Sequence, residues 1–471
     1  MSERSESVLR KNMRLSIVEG IVAMPLVFLT MPGNFLLANL ATGPLNLSSS
    51  IYGIIASLPA WSNVAQLFAM PFLTRFFPQK SVCLAFSYFH AAAWLILGLA
   101  LPYLPQDGSW PTIAIMIGVL AVISFGFSII NISWTSWIEE WLPKKSRGRY
   151  LGRRNRTMQI STVVFLIVAG KTISLIGDDN PLLGFQIIIF IGVFLRFFSI
   201  RWQHHIYSLR DGSQETTSKF TDQIGTILKN KPLIRLILFG VAFNFTANFI
   251  GPFFTIFLHK ALELGLDEIG YLVTIATVTG ALAMSAWGDL FDKYGCRPVM
   301  AIALICWMLN GYFFTFATPD RTWVAYAIFF VGGIFGAGFI FGSFNMILKL
   351  VPPNAKTTAI SLNLALGSLA GAISPIIGGI AIEWAEARYP ILDVFHLFSA
   401  IHHTAILLTV LILLTVLILL TVQEPKSSSL LQAAGAMRSF RQAGAFLGMS
   451  FLMNYSFFKK KRITKDNNST S

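Results

Sequence analysis

The chain alternates long apolar runs with short polar segments over most of its length. A helix needs about 20 predominantly apolar residues to span a bilayer, and twelve runs are candidates for such spans. They lie at 16–40, 51–74, 82–102, 111–138, 157–177, 182–200, 233–258, 268–287, 299–317, 322–348, 357–382 and 394–422. The pattern therefore predicts an all-α polytopic membrane protein with twelve transmembrane helices.

Basic residues collect on one side of this pattern. Loops after odd-numbered spans carry almost no Lys or Arg, whereas loops after even-numbered spans and both termini are basic. The positive-inside rule places basic loops in the cytosol, so we expect both ends of the chain to be cytosolic. The same rule explains the net charge of +14 without a nucleic-acid partner. Only 12% of the residues are charged, about half the share of a soluble domain.

The most distinctive polar segment is WGDLFDKYGCRPV, between the eighth and ninth predicted spans. Gly288 and Gly295 bracket Asp292 and Lys293, and Arg297 follows. Glycine permits close helix approach or a positive φ. Asp292 is suited to a helix N-terminus, and Arg297 offers a fork of donors to a carboxylate. The spacing resembles the loop signature of the major facilitator superfamily in its second-half position.

A second resemblance follows the fourth predicted span, where RGRYLGRRN is similar to the loop between helices 4 and 5 of many bacterial facilitators. Its candidate residues are Arg147, Gly148, Arg149, Gly152 and Arg153. The first-half counterpart of the signature, AMPFLTRFFPQK, keeps Arg75 but has Thr74 and Phe77 where Asp and Gly are expected. We therefore do not expect the usual charged latch at that counterpart.

The resemblance implies the major facilitator fold, with two pseudo-symmetric six-helix bundles. It places the N-terminal bundle at 1–200, a cytosolic linker at 201–231 and the C-terminal bundle at 232–422. A basic, amphipathic cytosolic tail, 423–471, remains. A helix lying at the membrane interface is expected for the tail, and a poorly ordered tail is the alternative.

The resemblance also implies alternating access by rocking of the two bundles. Asp292 would then dock at the cytosolic start of helix 5. The arginines beside that start are Arg149, Arg153 and Arg154. Arg297 would meet Glu139 or Glu140 at the end of helix 4. These contacts would close the cytosolic side while the outer side is open.

Polar side chains within the spans are candidates for lining a solute cavity, because each is costly in lipid and usually faces a bundle interior. The candidates are Asn34, Asn63, Gln66, Asn131, Trp134, Asn244, Asn248, Asn345 and Asn363. Each amide equally suits a helix–helix contact, and Trp134 equally suits an interfacial anchor. Glu19, the only carboxylate well within the first span, is the proton-coupling candidate. Its alternative is an ion pair with Arg14 or another loop arginine.

No nucleotide-binding loop, nucleophile elbow or HExxH motif occurs, and the three cysteines lack metal-ligand spacing. Asp393, His396 and His403 share a face of the last predicted span, where packing is favoured over a metal site or a pH sensor. We predict a non-enzymatic secondary transporter without cofactor or metal. It would move a small solute, with protons as the candidate coupling ion. We expect a monomer in the bacterial inner membrane; the alternative is a non-transporting receptor or scaffold on the same frame.

Overall fold

The structure, a computed structural model, describes residues 3–31, 33–142, 144–176, 180–207, 220–351, 356–388 and 414–422, with Glu424, Ser429 and Gln432. The Asp and His residues singled out in the last predicted span lie outside the described residues. The same holds for nearly all of the predicted tail.

We call residues 3–207 the N-terminal half. Its helices are α1 (Glu3–Thr30), α2 (Phe35–Thr42), α3 (Ser49–Phe76), α4 (Gln79–Ala100), α5 (Trp110–Trp141), α6 (Lys144–Ile176) and α7 (Pro181–His205). Helix α1 packs against α6 and α7, while α4 packs against α5 and α7. Apolar side chains buried between these helices form a core that continues into the C-terminal half.

We call the described residues from 220 onward the C-terminal half. Its helices are α8 (Phe220–Lys229), α9 (Lys231–Ile250), α10 (Phe254–Lys260), α11 (Leu266–Tyr294), α12 (Cys296–Tyr312), α13 (Trp323–Leu350), α14 (Lys356–Arg388) and α15 (414–421). Helix α13 packs against α11 and α12, and α14 packs against α9. A 3-10 turn, Gly251–Phe253, joins α9 to α10.

Nine helical segments in the described part of the chain are long and apolar enough to cross a bilayer. They correspond to nine of the twelve predicted spans. Of the other three, α3 has 28 residues but is less apolar, α12 has 17 residues, and only 414–422 of the last span is described. The described residues contain no strand. The all-α membrane fold class is confirmed.

The first predicted span differs from expectation because it consists of two helices. Helix α1 ends at Thr30, Gly33 has a φ of +67°, and α2 begins at Phe35. Asn34 caps α2: its Oδ1 accepts from the Leu37 N–H at 2.8 Å, and its Nδ2 donates to the carbonyl of Leu29 at 2.9 Å. A glycine with positive φ followed by an N-cap asparagine is sufficient to break a helix.

The two halves pack tightly at one end of the bundle. At the contact of α14 with α3, a Cβ on Gly379 would lie 2.6 Å from the Ser49 carbonyl oxygen. At the contact of α6 with α11, a Cβ on Gly170 would lie 2.7 Å from the Cα of Asp267. Backbones this close leave no space for a side chain. We call this the closed end, and we call the opposite end, which carries Lys80, the basic end.

Each half has a similar contact between a basic side chain and backbone carbonyls at the basic end, which we call its clamp. In the N-terminal half, the Lys80 Nζ donates to the carbonyls of Ile206 at 2.7 Å and His204 at 3.0 Å. In the C-terminal half, the Arg297 Nη1 donates to the carbonyl of Val422 at 3.2 Å. Cations stabilise the carbonyl end of a helix. In each half, therefore, a cation at the start of the third span holds the end of the last one.

Candidate functional site

A buried ionic cluster joins three helices of the N-terminal half. Glu19 on α1 accepts from the Arg154 Nη2 at 3.2 Å and lies 3.5 Å from the Arg196 Nη1. Gln203 on α7 donates its Nε2 to the same carboxylate at 2.8 Å. Glu19, Arg154 and Arg196 are 3%, 7% and 2% exposed. Helices α1, α6 and α7 are thus linked by charges that water barely reaches.

Further hydrogen bonds fix the two arginines of this cluster. Arg154 donates its Nε to the Ser16 carbonyl at 3.2 Å, and its guanidinium lies 3.9 Å from the ring centre of Trp134. Arg196 donates its Nη2 to the Ser87 hydroxyl on α4 at 2.8 Å. A residue as long as arginine near a helix end is expected to reach toward the interface. For Arg196 that expectation is wrong, because it turns inward to Glu19.

Charge counting shows what Glu19 does in this arrangement. Within the described residues, one carboxylate faces two guanidiniums, so the cluster carries one net positive charge. Adding a proton to Glu19 would leave both buried arginines without a counter-charge, which is strongly unfavourable. Of the two sequence-based alternatives for Glu19, this geometry favours the ion pair with a loop arginine.

The C-terminal half carries half-buried, uncharged amides between two of its helices. Asn244 and Asn248 lie one turn apart on α9, and each donates its Nδ2 to the carbonyl one turn earlier at 2.8 Å. A Cβ on Gly367 of α14 would lie 3.0 Å from the Asn244 Nδ2. A Cβ on Gly371 would lie 3.3 Å from the Asn248 Nδ2. Glycines on α14 therefore leave the space that these amides occupy.

A third amide extends this row from the other helix. The Oδ1 of Asn363 on α14 lies 3.1 Å from the Cβ position of Gly240 on α9. We call Asn244, Asn248 and Asn363 the amide row. The row borders the N-terminal half, since the Cβ position of Gly371 is 4.0 Å from the Ala60 Cβ on α3.

Aromatic rings surround one side of α9 near the amide row. The rings of Phe243 and Phe339 have centres 4.3 Å apart, and Trp307 lies 6.2 Å from Phe243. Aromatic pairs at these distances attract each other. The C-terminal half therefore combines uncharged hydrogen-bonding groups with flat apolar surfaces.

The remaining candidates for a cavity are distributed over the bundle. Asn63 on α3 accepts from the Ser128 hydroxyl on α5 at 3.0 Å, and the buried Oε1 of Gln66 has no partner among the described residues. Asn131 is exposed on α5. Asn345 donates to the carbonyl of Phe341 at 2.9 Å. Asn34 instead caps α2, so its side chain is used by the helix break.

The signature segment forms the connection between α11 and α12. Gly295 has a φ of +88° and separates the two helices, while Asp292 and Lys293 are exposed. Gly288 faces the ring of Phe341, which lies 3.8 Å from its Cβ position. Only Gly295 of the two glycines requires a backbone conformation that other residues avoid.

Arg297 has partners within its own half in this conformation. Besides the Val422 contact, the backbone N–H groups of Cys296 and Arg297 donate to Glu424 at 3.0 and 2.7 Å. Lys349 on α13 donates to the same carboxylate at 2.9 Å. Burial acts to raise the pKa of Glu424, but these hydrogen bonds outweigh it and the pKa lies below its ordinary value. The predicted contact of Arg297 with Glu139 or Glu140, at the end of α5, stays a prediction for another conformation.

The second motif is helical, because α6 begins at Lys144 and not near the predicted residue 157. Glu140 is half-buried at the end of α5, and burial raises its pKa. Arg153 is exposed. The structure does not describe the side chains of the other predicted residues of this region, which are Glu139, Arg147, Gly148, Arg149 and Gly152. Docking of Asp292 against α6 stays a prediction.

Two groups that the sequence reading missed contact each other across the halves. Glu383 on α14 accepts from the Ser50 N–H at 2.9 Å and from the Ser50 hydroxyl at 2.6 Å at the closed end. A carboxylate near the end of an apolar run was a usable signal for Glu383. Its partner is 333 residues away and carries no such signal.

Two curated relatives align with part of the chain. The multi-drug resistance efflux pump PmrA of Streptococcus pneumoniae is 28% identical over 189 residues, which is 38% of this chain and 44% of that protein. The uncharacterized MFS-type transporter YqjV of Bacillus subtilis is 22% identical over 148 residues, covering 31% and 36%. The chain thus matches less than half the length of these curated relatives.

Solved structures match over most of the chain. A mutant of the nucleoside transporter NupG has a TM-score of 0.68 at 15% identity, covering 86% of this chain and 99% of that one. A bacterial homolog of the human lysosomal transporter Spinster, inward-facing and unoccupied, has a TM-score of 0.64 at 13% identity, covering 91% and 100%. At these identities the likeness shows the shared fold.

The family model described as Major Facilitator Superfamily matches the chain twice, at residues 21–267 and 236–459. The double match agrees with the clamp that recurs in both halves. Together with the nine apolar spans, it makes the chain an integral membrane protein whose relatives are transporters. The chain belongs to the major facilitator superfamily.

Proposed function

We propose that this protein is a secondary transporter that moves a small solute by rocking its two halves about a central pathway. The closed end is the observation that supports this most directly. The close contacts of α14 with α3 and of α6 with α11 seal the bundle between the halves and not within one. A seal of this kind opens when the halves rock apart, which is how alternating access works in such repeats.

The positive-inside rule gives the direction of this seal. The basic end faces the cytosol under that rule, so the closed end faces outward and both chain termini are cytosolic. We infer an inward-facing conformation in a bacterial-type inner membrane. Three of the similar solved structures are described as inward-facing. The predicted contact of Asp292 with α6 then belongs to the outward-facing state.

The amide row supports a proposal for the chemical class of the solute. Amides donate to and accept from neutral polar groups, and the neighbouring rings of Phe243, Phe339 and Trp307 suit flat apolar surfaces. We propose a neutral or amphipathic solute that carries hydrogen-bonding groups. A multi-drug pump and a nucleoside transporter among the similar proteins fit this class.

Glu19 has a structural role in this proposal. Its two buried arginine partners require its charge, so proton coupling, if present, uses another group. A non-transporting receptor or scaffold stays the alternative, and no observation on the described residues favours it.

A ligand screen followed by transport assays tests this function. Purified protein is heated with nucleosides, sugars, amino acids, organic acids and amphipathic drugs, since a ligand at 100 times its Kd stabilises by about 2.7 kcal/mol. We expect a saturable shift from the neutral or amphipathic classes, and uptake or efflux of the same compound in proteoliposomes.

The Asn244→Ala variant should weaken binding of that compound roughly tenfold, the value of one lost hydrogen bond. Asn155→Ala, an exposed amide on α6, is the matched control and should bind as wild type. Equal loss in both variants would count against the amide row. Absence of transport for every compound that binds would favour the receptor alternative.

A further inference from the structure

A carboxylate of one half holds the first turn of a helix in the other half. Glu383 on α14 accepts from both the N–H and the hydroxyl of Ser50, at 2.9 and 2.6 Å. Ser50 is the second residue of α3 (Ser49–Phe76), where N–H groups have no partner within the helix. Glu383 therefore supplies to α3 a cap that comes from the opposite half.

The setting makes this contact depend on the charge of the carboxylate. The N-terminus of α3 carries the positive end of the helix dipole, which favours an anion. Hydrogen bonds to an ionised acceptor are shorter and about twice as strong as those between neutral groups. A protonated Glu383 would lose the dipole attraction and would use one oxygen as a donor. The contact is thus strong for the anion and weak for the acid.

Few other ionisable groups face Glu383 from the helices packed around it. On α3, Tyr52 is buried and lies edge-to-face with Phe253, with ring centres 5.6 Å apart. The stretch 241–258, which includes the 3-10 turn, contains no ionisable residue. On α14 itself, Glu386 and Arg388 follow in the next turn. Glu383 is half-buried, so a proton from the closed end has a route to it.

We propose that Glu383 is a positioning residue of the transport cycle, a latch that holds the outer side shut when ionised and releases it on binding a proton. The proposal rests on the alternating access described under Proposed function. The latch lies beside the Gly379 contact with Ser49, so its release frees the place where the backbones of the two halves are closest. The proton enters and leaves from the outer side, which makes opening sensitive to external pH.

A distance measurement across the outer mouth tests the latch. Spin labels are placed by Gln106→Cys in the N-terminal half and Asp320→Cys in the C-terminal half, both exposed in connections between long helices at the closed end. The three native cysteines, Cys83, Cys296 and Cys306, are first replaced by Ala. Full-length protein in proteoliposomes is measured between pH 8 and pH 3.5, a range that includes the ordinary glutamate pKa of about 4.3. Size-exclusion profiles and thermal unfolding verify that each variant is folded.

The expected result is specific to the charge of Glu383. Wild type should stay mostly in the short-distance state from pH 8 to about pH 5 and gain a long-distance state as the pH falls through the ordinary glutamate range of about 4.3 and below. Glu383→Gln should raise the open-to-closed ratio at pH 8 about tenfold, the value of one charge-assisted hydrogen bond, and lose the pH response. Ser50→Ala should give a smaller increase and keep a pH response, because the backbone N–H still donates.

Glu268→Gln is the matched control, since Glu268 accepts from Gly265 within its own half at 3.0 Å, and it should behave as wild type. A Glu383→Gln protein that is folded and keeps the wild-type distances and pH response overturns the latch, while alternating access stands. A single short distance in every variant, at every pH and with every solute that binds, overturns alternating access and the latch with it.

Discussion

The two halves share a frame but differ in the polar groups that they place between their helices. Both use a basic residue at the start of the third span, Lys80 or Arg297, to hold the end of the last span. In the N-terminal half, Glu19 and two arginines bind three helices together with charges. In the C-terminal half, the amide row lies against glycines of α9 and α14.

The difference indicates that the two halves have different roles, one as a rigid body and the other in binding the solute. A buried ion pair is costly to separate, because each charge is then left without water or partner. Helices α1, α6 and α7 should therefore move as one body. Amides exchange hydrogen-bond partners at lower cost. The C-terminal half is accordingly the better place to bind and release a solute.

The largest expected effect on stability comes from removing the charge of Glu19, and it tests the difference between the halves. Glu19→Gln leaves two buried guanidiniums without a described counter-charge, so we expect destabilisation of about 3–5 kcal/mol. The measurement is the thermal unfolding of purified protein. Glu263→Gln, in an exposed loop position of the other half, is the control and should unfold as wild type.

A second substitution distinguishes a structural role of Glu19 from a role in proton coupling. If the loss is due to uncompensated charge, adding Arg196→Gln to Glu19→Gln should restore part of the stability. A Glu19→Gln protein that is as stable as wild type but no longer responds to a proton gradient would contradict the structural role. It would return Glu19 to the coupling site.

The next effect concerns the interface where the halves meet. Gly379→Val places a side chain where a Cβ already lies 2.6 Å from the Ser49 carbonyl oxygen and 2.9 Å from the Ser50 Cα. The closed end should not form, so transport should fall at least tenfold while folding within each half persists. The outer-mouth distances and the transport rate of the same samples are the measurements.

Gly118→Val is the matched control for this interface. The Cβ position of Gly118 on α5 has no neighbour within 4 Å, so transport should change little. Normal transport and short outer distances in Gly379→Val would show that the halves close in some other way. The close contact at Gly379 would then not be what closes the outer side.

The sequence predicted the helices well and the partners of their side chains poorly. Apolar run length and loop charge indicated the helices and the basic end, because both depend on residues near in sequence. The Gly33–Asn34 pair was a local signal for the break in the first span, but Asn34 was instead read as a candidate for lining a cavity. Local reasoning was available there and was misapplied.

Long-range pairs lay beyond what spacing shows. Glu19 stood out as a carboxylate in an apolar run, but its partners are 135 and 177 residues away. Arg196 has a side chain long enough to reach either the interface or the core, and only the packing of α7 against α1 decides between them. The partner of Glu383 depends likewise on how the two halves meet.

The smallest effect sharpens the comparison at the basic end, where the C-terminal clamp contains a carboxylate that the N-terminal clamp lacks. The pKa of Glu424 is lowered by its hydrogen bonds despite burial, and that of Lys349 is raised by the same contact despite burial. The Glu424 contribution is present above its unfolded pKa and is lost as the pH falls through its folded pKa. The Lys349 contribution is present below its unfolded pKa and is lost as the pH rises through its folded pKa.

Both contributions are therefore present near neutral pH. The Lys349 side chain is 48% exposed, so water weakens the pair and we expect less than about 1 kcal/mol from it. Glu424→Gln should lower the unfolding temperature slightly at pH 7 and flatten its fall in acid relative to wild type. The exposed Asp320→Asn should leave the acid profile unchanged. An acid profile of Glu424→Gln identical to wild type would mean that Arg297 and Val422 hold this end alone, as Lys80 does in the other half.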